Sequence, residues 1–264
     1  MKLGLNVPAV GDPAFLVDLA VTAEATGWDG FFLWDHLHRG SNRPELHDPW
    51  SLIGAFATRT SRLRLGTLVT PVARRRPWQL AKQVTTIDHL SNGRVTLGVG
   101  LGAPADLEYA AFGESDSARV HAAMLDEALP LIDAFLRGEA VSHTGEYFRV
   151  SAQLAPAAVQ KPRPPIWVAG SVPHRRPMQR ALRWDGFYPL DPRAPEGGLR
   201  PEVLAEVVER LDPPEGFEII TALNSTSSID ALEKAGATWV IDEPSDINEP
   251  LTVIQRRIEA GPPR

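Results

Sequence analysis

Residues 63–100 read LRLGTLVTPVARRRPWQLAKQVTTIDHLSNGRVTLGVG and contain one complete strand–helix–strand unit. An apolar, β-branched run over 63–70 stops at Pro71. A helix-period pattern follows over 78–90, and a second apolar run over 94–98 ends among glycines. Runs this apolar suit strands buried on both faces, the condition of parallel strands covered by crossover helices. The same alternation extends in both directions. Strands are expected over 2–7, 30–34, 63–70, 94–98, 165–169, 186–190, 218–222 and 238–241. Helices are expected over 13–26, 49–60, 78–90, 173–184, 201–211, 228–234 and 248–260. Asp12 before Pro13 and Asp48 before Pro49 are helix-start signals. Right-handed crossovers turn such a succession into an open doubly wound sheet or a closed barrel. Eight strands and no sign of a second domain select the barrel: one α/β domain over 1–264, a (β/α)8 TIM barrel.

One connection is too long. Residues 99–164 separate the fourth strand from the fifth, far more than a single helix needs. They hold a helical pattern over 117–137 and a hairpin over 143–150 around Thr144-Gly145. Long loops at the C-terminal ends of barrel strands carry function, so 100–163 is expected to be an insertion between strands 4 and 5 that walls a site.

Composition narrows the partners. A net charge of −6 argues against a nucleic-acid grip built on phosphate contacts. No apolar run approaches the roughly 18 residues that span a bilayer. Residues 1–12 lack the apolar stretch of a secretion signal, and the chain has no cysteine, so thiolate chemistry and disulfides are excluded. A cytoplasmic location is the expectation. Of the 27 basic residues only four are lysine, so any anion site must be built from arginine forks.

Several segments, taken in order, resemble the bacterial-luciferase-like family of flavin- and deazaflavin-dependent oxidoreductases. They are GWDGFFLWDH (27–36), LGTLVTP (65–71) with RRP (75–77), IDHLSNGR (87–94) running into LGVGLG (97–102), EYAAFG (108–113), Asp126-Glu127, PPIWVAG (164–170) and Asp185-Gly186. The last 75 or so residues fit only as generic barrel units. The resemblance implies a barrel that binds FMN or coenzyme F420 at the C-terminal strand ends, moves a hydride to or from a small organic substrate, and is often a homodimer. FMN members also activate oxygen as monooxygenases, which implies a flavin reductase as partner. The segment departs from deazaflavin sugar dehydrogenases after the glycine run, where Ala103-Pro104 stands in place of a Glu. The stretch 192–201 leaves little room for an extra lid.

The candidate site residues follow. Asp35 and His36 close the second strand, where barrel residues face the active site. An imidazole can donate or accept a proton beside a flavin ring, and Asp35 can orient it or contact the ring edge. The resemblance places this pair by the flavin and implies a non-proline cis peptide at Leu68-Val69 that bulges under the ring, with the Thr70 hydroxyl as a ring partner. Gly100, in the run 98–103, lets a flat ring approach the backbone closely. Gly170, Ser171, Val172, Arg175 and Arg176 follow the fifth strand at a helix start and combine amides, a hydroxyl and guanidinium forks as a phosphate cradle. Asn6 and Pro8 line the pocket floor, with Asn6 expected to contact the cofactor. Arg74-Arg75-Arg76 is either an anion patch or a charged loop. Trp34, Trp50, Trp78 and Trp167 read as core or pocket wall.

Other chemistries compete. His36, His38 and His47 suggest a metallohydrolase, though later strands offer few further ligands. The run 98–103 matches a dinucleotide fingerprint, but Pro104 replaces the helix that motif requires. The leading reading is therefore an FMN or F420 oxidoreductase with no metal, FMN being preferred. An F420-dependent reductase or dehydrogenase and a non-catalytic flavin-binding protein are the alternatives.

Overall fold

The computed structural model describes residues 1–39, 45–191, 193–194, 198–244 and 246–263. Its strands are β1 (Lys2–Val7), β2 (Gly30–Leu33), β3 (Arg64–Pro71), β4 (Val95–Gly100), β5 (Ala140–Thr144), β6 (Arg149–Gln153), β7 (Ile166–Ser171), β8 (Gly186–Leu190), β9 (Glu218–Ala222) and β10 (Trp239–Asp242). Eight of these, in the order β1-β10-β9-β8-β7-β4-β3-β2, form a closed parallel barrel, and β5 pairs antiparallel with β6. The helices are α1 (Pro13–Thr26), α2 (Pro49–Arg59), α3 (Pro77–Ser91), α4 (Ala105–Glu108), α5 (Ala118–Arg137), α6 (Arg175–Ala181), α7 (Pro201–Leu211), α8 (Ile229–Lys234) and α9 (Leu251–Glu259). No helix among the described residues is long and apolar enough to cross a membrane. Positions 192 and 195–197 of the 192–201 stretch lie outside the described residues.

Helix starts follow the sequence signals. The Asp12 carboxylate accepts from Ala14 N at 3.1 Å and Asp48 accepts from Ser51 N at 2.7 Å, each satisfying an amide that has no partner in the first turn. The helix expected over 173–184 is shorter, because the sheet keeps the chain longer. Val172 N donates to Leu190 O at 2.9 Å, which continues the β7–β8 pairing and delays the helix to Arg175. Between β4 and β7 lie α4, α5 and the β5–β6 hairpin. Leu125, Leu129, Ile132 and Leu136 recur on one face of α5 and are buried, as an amphipathic helix requires, and α5 packs on α3. Glu127 on α5 ties down the hairpin, accepting from Tyr147 N at 3.0 Å and Phe148 N at 2.8 Å.

The barrel has two interiors of different character. One large core fills the space between strands and helices. Inside the ring, Phe32, Trp167 and Trp239 pack with centroids 5.4 to 5.9 Å apart. Glycines make room for them: a Cβ on Gly186 would stand 2.6 Å from Trp167 Cδ1. Glu218 accepts from the Trp167 and Trp239 indoles at 2.8 and 2.9 Å and pairs with Arg64 at 2.9 Å. Gly186, Glu218, Trp239 and Arg64 all begin their strands, so this cluster plugs the N-terminal end of the barrel. A cavity opens toward the opposite, C-terminal strand ends. Gly186→Ala is expected to lower unfolding free energy by about 1–3 kcal/mol through overpacking against the indole. Denaturant unfolding checks it, and an unchanged midpoint would show that Trp167 has room to shift.

Candidate active site

A cavity of about 810 Å³ opens at the C-terminal strand ends. Of the residues singled out in the sequence, Asn6, Asp35, His36, Leu68, Val69, Gly100, Gly170, Ser171, Arg175 and Arg176 line it. The Leu68-Val69 peptide is cis, and the β3–β4 register shifts between Thr67 and Thr70. Gly100 sits against this bulge: a Cβ there would stand 2.6 Å from Val69 Cγ2. Three expectations need correction. Thr70 is wholly buried, and its hydroxyl is used up inside the protein by Trp50 Nε1 at 3.0 Å, Thr67 at 2.9 Å and Asp35 at 2.9 Å. Val172 does not line the cavity, since its amide is spent on Leu190. Pro8 is likewise absent from the wall.

A further correction concerns His36. Its partner is Glu108 on α4, not Asp35: Nδ1 lies 2.9 Å from Glu108 Oε1. Asp35 instead accepts from Arg74 at 2.7 Å and from Arg75 at 2.8 Å. Arg74 also bonds Glu108, so a single guanidinium joins both carboxylates, and Leu37 N adds a donor to Glu108 at 3.2 Å. Arg74, Asp35 and Glu108 are 3%, 1% and 0% exposed at their side chains. Arg74 and Arg75 are therefore neither a patch nor a free loop but the counter-charges of buried acids. An ionised carboxylate only accepts, so the proton on His36 sits at Nδ1 and Nε2 carries the lone pair. Burial, then the cations of Arg39 and Arg74, lower the imidazole from 6.5 to about 4, with Asp35 opposing.

The other histidines do not gather around it. His47 bonds Gly11 O at 2.7 Å and His38 packs edge-on against Phe112. Among the described residues no group of three or more His, Cys, Asp or Glu side chains is placed to hold a metal. Trp34 lines the cavity and stands edge-on to His36, centroids 6.1 Å apart. Trp50 is buried, Trp78 packs on Phe148 and Trp167 belongs to the barrel plug.

Sequence reasoning missed Glu108 as a partner, and it missed Arg39, Tyr188 and Glu243, which also line the cavity. Glu108 lies 72 positions from His36, so no local spacing links them. Glu243 stands one residue beyond β10, at a barrel-strand end, which was a usable signal. Its carboxyl accepts from Asn6 Nδ2 at 2.7 Å and Tyr188 OH at 3.1 Å.

A closed ring of parallel strands with a cavity at the C-terminal strand ends is the architecture of a barrel enzyme. The model of the luciferase-like monooxygenase family matches residues 1–222, and the chain belongs to that family. The F420-dependent glucose-6-phosphate dehydrogenase of Gordonia bronchialis is 32% identical over 233 residues, covering 80% of this chain and 67% of that protein. That of Nakamurella multipartita is 34% identical over 189 residues, 69% of this chain and 54% of the relative. The matched stretches thus span about half to two thirds of these curated relatives. Among solved structures, an F420-dependent secondary alcohol dehydrogenase holding an F420–acetone adduct superposes over 98% of both chains, with TM-score 0.77 and 18% identity. A monooxygenase from Streptomyces bottropensis gives TM-score 0.69 at 25% identity, covering 89% of this chain and 75% of its own.

Two outcomes are expected. Because folding holds His36 below its unfolded value, the unfolded chain takes up the proton first, so this residue costs stability as pH falls from 6.5 toward 4. His36→Gln is expected to flatten that part of the stability-against-pH curve, and an unchanged slope would mean His36 titrates normally. Arg74→Met leaves the buried Glu108 without a cationic partner and Asp35 with Arg75 alone, and is expected to cost about 3–5 kcal/mol in denaturant unfolding. A loss below about 1 kcal/mol would be the value of an exposed pair and would contradict the bridging role.

Proposed function

We propose that the chain is an oxidoreductase that passes a hydride between a small organic substrate and a bound ring cofactor, F420 in the first place. The observation that carries this reading is the placement of His36. Its Nδ1 is fixed by Glu108, it lines a cavity with the cis Leu68-Val69 bulge, and that cavity has an arginine rim. The residues present fit such a group. Gly100 and the Leu68-Val69 bulge leave a surface for a flat ring, and Gly170, Ser171, Arg175 and Arg176 would hold a phosphate. The preference for FMN drawn from the sequence has no support in the comparisons. The curated relatives named above are F420-dependent, and Arg39 with Arg175 and Arg176 suits a longer anionic tail.

The cofactor supplies the hydride chemistry. The protein's own part is to exclude water with apolar walls and to hold one proton acceptor at a set place. With Nδ1 protonated, His36 Nε2 can take the proton from a substrate hydroxyl, and the Glu108 carboxylate, itself paired with Arg74, stabilises the imidazolium that results. A second reading, a monooxygenase, is favoured by the 25% identity to the Streptomyces bottropensis monooxygenase; FMN would be its cofactor.

Titration of the purified chain with F420 and with FMN, followed by fluorescence, separates these readings. Tight binding of F420 is expected, FMN alone would favour the second reading, and binding of neither would defeat both. His36→Ala is expected to lower turnover by about 10²–10⁴-fold while changing cofactor affinity little. Unchanged turnover would remove His36 from the mechanism.

A further inference from the structure

Apart from Asn6 on β1, every residue assigned above to the cofactor stands at the end of β2, β3, β4 or β7 or just beyond it. In the closed ring these strands are consecutive, β7-β4-β3-β2. The other four, β1, β10, β9 and β8, form the opposite half. From that half Asn6, Tyr188 and Glu243 reach the same cavity. Together they make a polar floor facing the proposed ring position.

We propose that Glu243 is the substrate-docking group of this site, held in place by Asn6 and Tyr188, and that it takes a neutral substrate through a hydroxyl or carbonyl oxygen. The inference rests on the oxidoreductase reading above. Each Glu243 oxygen has one neutral donor: Asn6 Nδ2 at 2.7 Å on Oε2 and Tyr188 OH at 3.1 Å on Oε1. Asn6 Nδ2 also donates to Leu68 O at 3.0 Å, so the amide orientation is fixed and the carboxyl is registered to the Leu68-Val69 bulge. Asn6 and Tyr188 are 1% and 4% exposed, whereas Glu243 is partly open, so the carboxyl is the group a ligand meets. No ion pair to Glu243 is found among the described residues.

The chemistry of the ligand follows from what surrounds the carboxyl. An anionic group is repelled by Glu243 and drawn to the arginine rim instead. A cationic group must pass Arg39, Arg175 and Arg176 to enter. A neutral oxygen is suited to the floor: an ionised Glu243 accepts from an alcohol and a protonated one donates to a carbonyl. Both forms are accessible, since burial raises the carboxyl to about 7 against the pull of the Asn6 and Tyr188 hydrogen bonds. One side chain thus accommodates both members of an alcohol/carbonyl pair.

The test needs no known substrate. Crystals of the full chain are soaked in 2-propanol and, separately, in glycerol, and Glu243→Leu crystals are treated alike. A hydroxyl oxygen hydrogen-bonded to Glu243 in the wild type and missing from the variant is expected. Alcohols that settle only on the β2–β4 and β7 half, or on the rim, would overturn the proposal. Fluorescence titration of Glu243→Gln, which keeps the shape should the Leu variant not fold, is expected to leave F420 and FMN affinities within about twofold of wild type. A loss of about tenfold or more, the worth of a lost hydrogen bond to a charged group, would assign Glu243 to the cofactor and likewise overturn it. If the wild type binds neither cofactor, the oxidoreductase reading fails, and the alcohol soak still reports on the floor by itself.

Discussion

The guanidinium of Arg74 is the constraint on which the site depends. It comes from the short turn after β3 and joins Asp35, at the end of β2, to Glu108 in α4. Removing two carboxylates and a guanidinium from water is costly, and the cost is offset only when each charge meets a partner in good geometry. Here it does, and the consequence is positional. Glu108 is fixed, so His36 is fixed, its tautomer is set and its second nitrogen is left for chemistry. Truncating any one of the three would move the imidazole, although only His36 offers a reactive atom.

A second constraint lies at the opposite end of the ring. Phe32, Trp167 and Trp239, with Glu218 and Arg64 beneath them, fill the barrel from its N-terminal side. A packed interior of this kind cannot hold a ligand, so the cavity forms where strand ends and loops diverge. The division of the rim then has a simple basis. One half-ring, β7-β4-β3-β2, presents glycines, a cis peptide and arginines. The other half presents a carboxyl held by neutral donors.

How much of this was legible in the sequence depends on the range of the interaction. The eight strands were readable because buried parallel strands are short apolar runs set off by Gly, Pro and Asp. The helix starts at Pro13 and Pro49 were readable because capping is local. Asp35 and His36 were located by their place at a strand end, but the pairing between them was misassigned. The true partner is 72 positions away, and the true partners of Asp35 are 39 and 40 away. Thr70 and Val172 were misjudged for a related reason: a strand end alternates between lining a cavity and facing the core, and sequence does not say which. Glu243 lies in a region whose pattern resembles any barrel unit, so nothing but its position at a strand end marked it, and Tyr188, two residues past Gly186, was likewise marked only by its strand.

The central claim is that one rim of this barrel holds a flat anionic cofactor and the facing rim holds its substrate. A crystal structure of the chain with F420 bound tests it most directly. The account predicts the ring against Leu68-Val69 and Gly100, its tail anion at Gly170–Arg176, and open space between the ring face and Glu243. A ring lying instead over Asn6, Tyr188 and Glu243, or F420 bound outside the cavity, would contradict it.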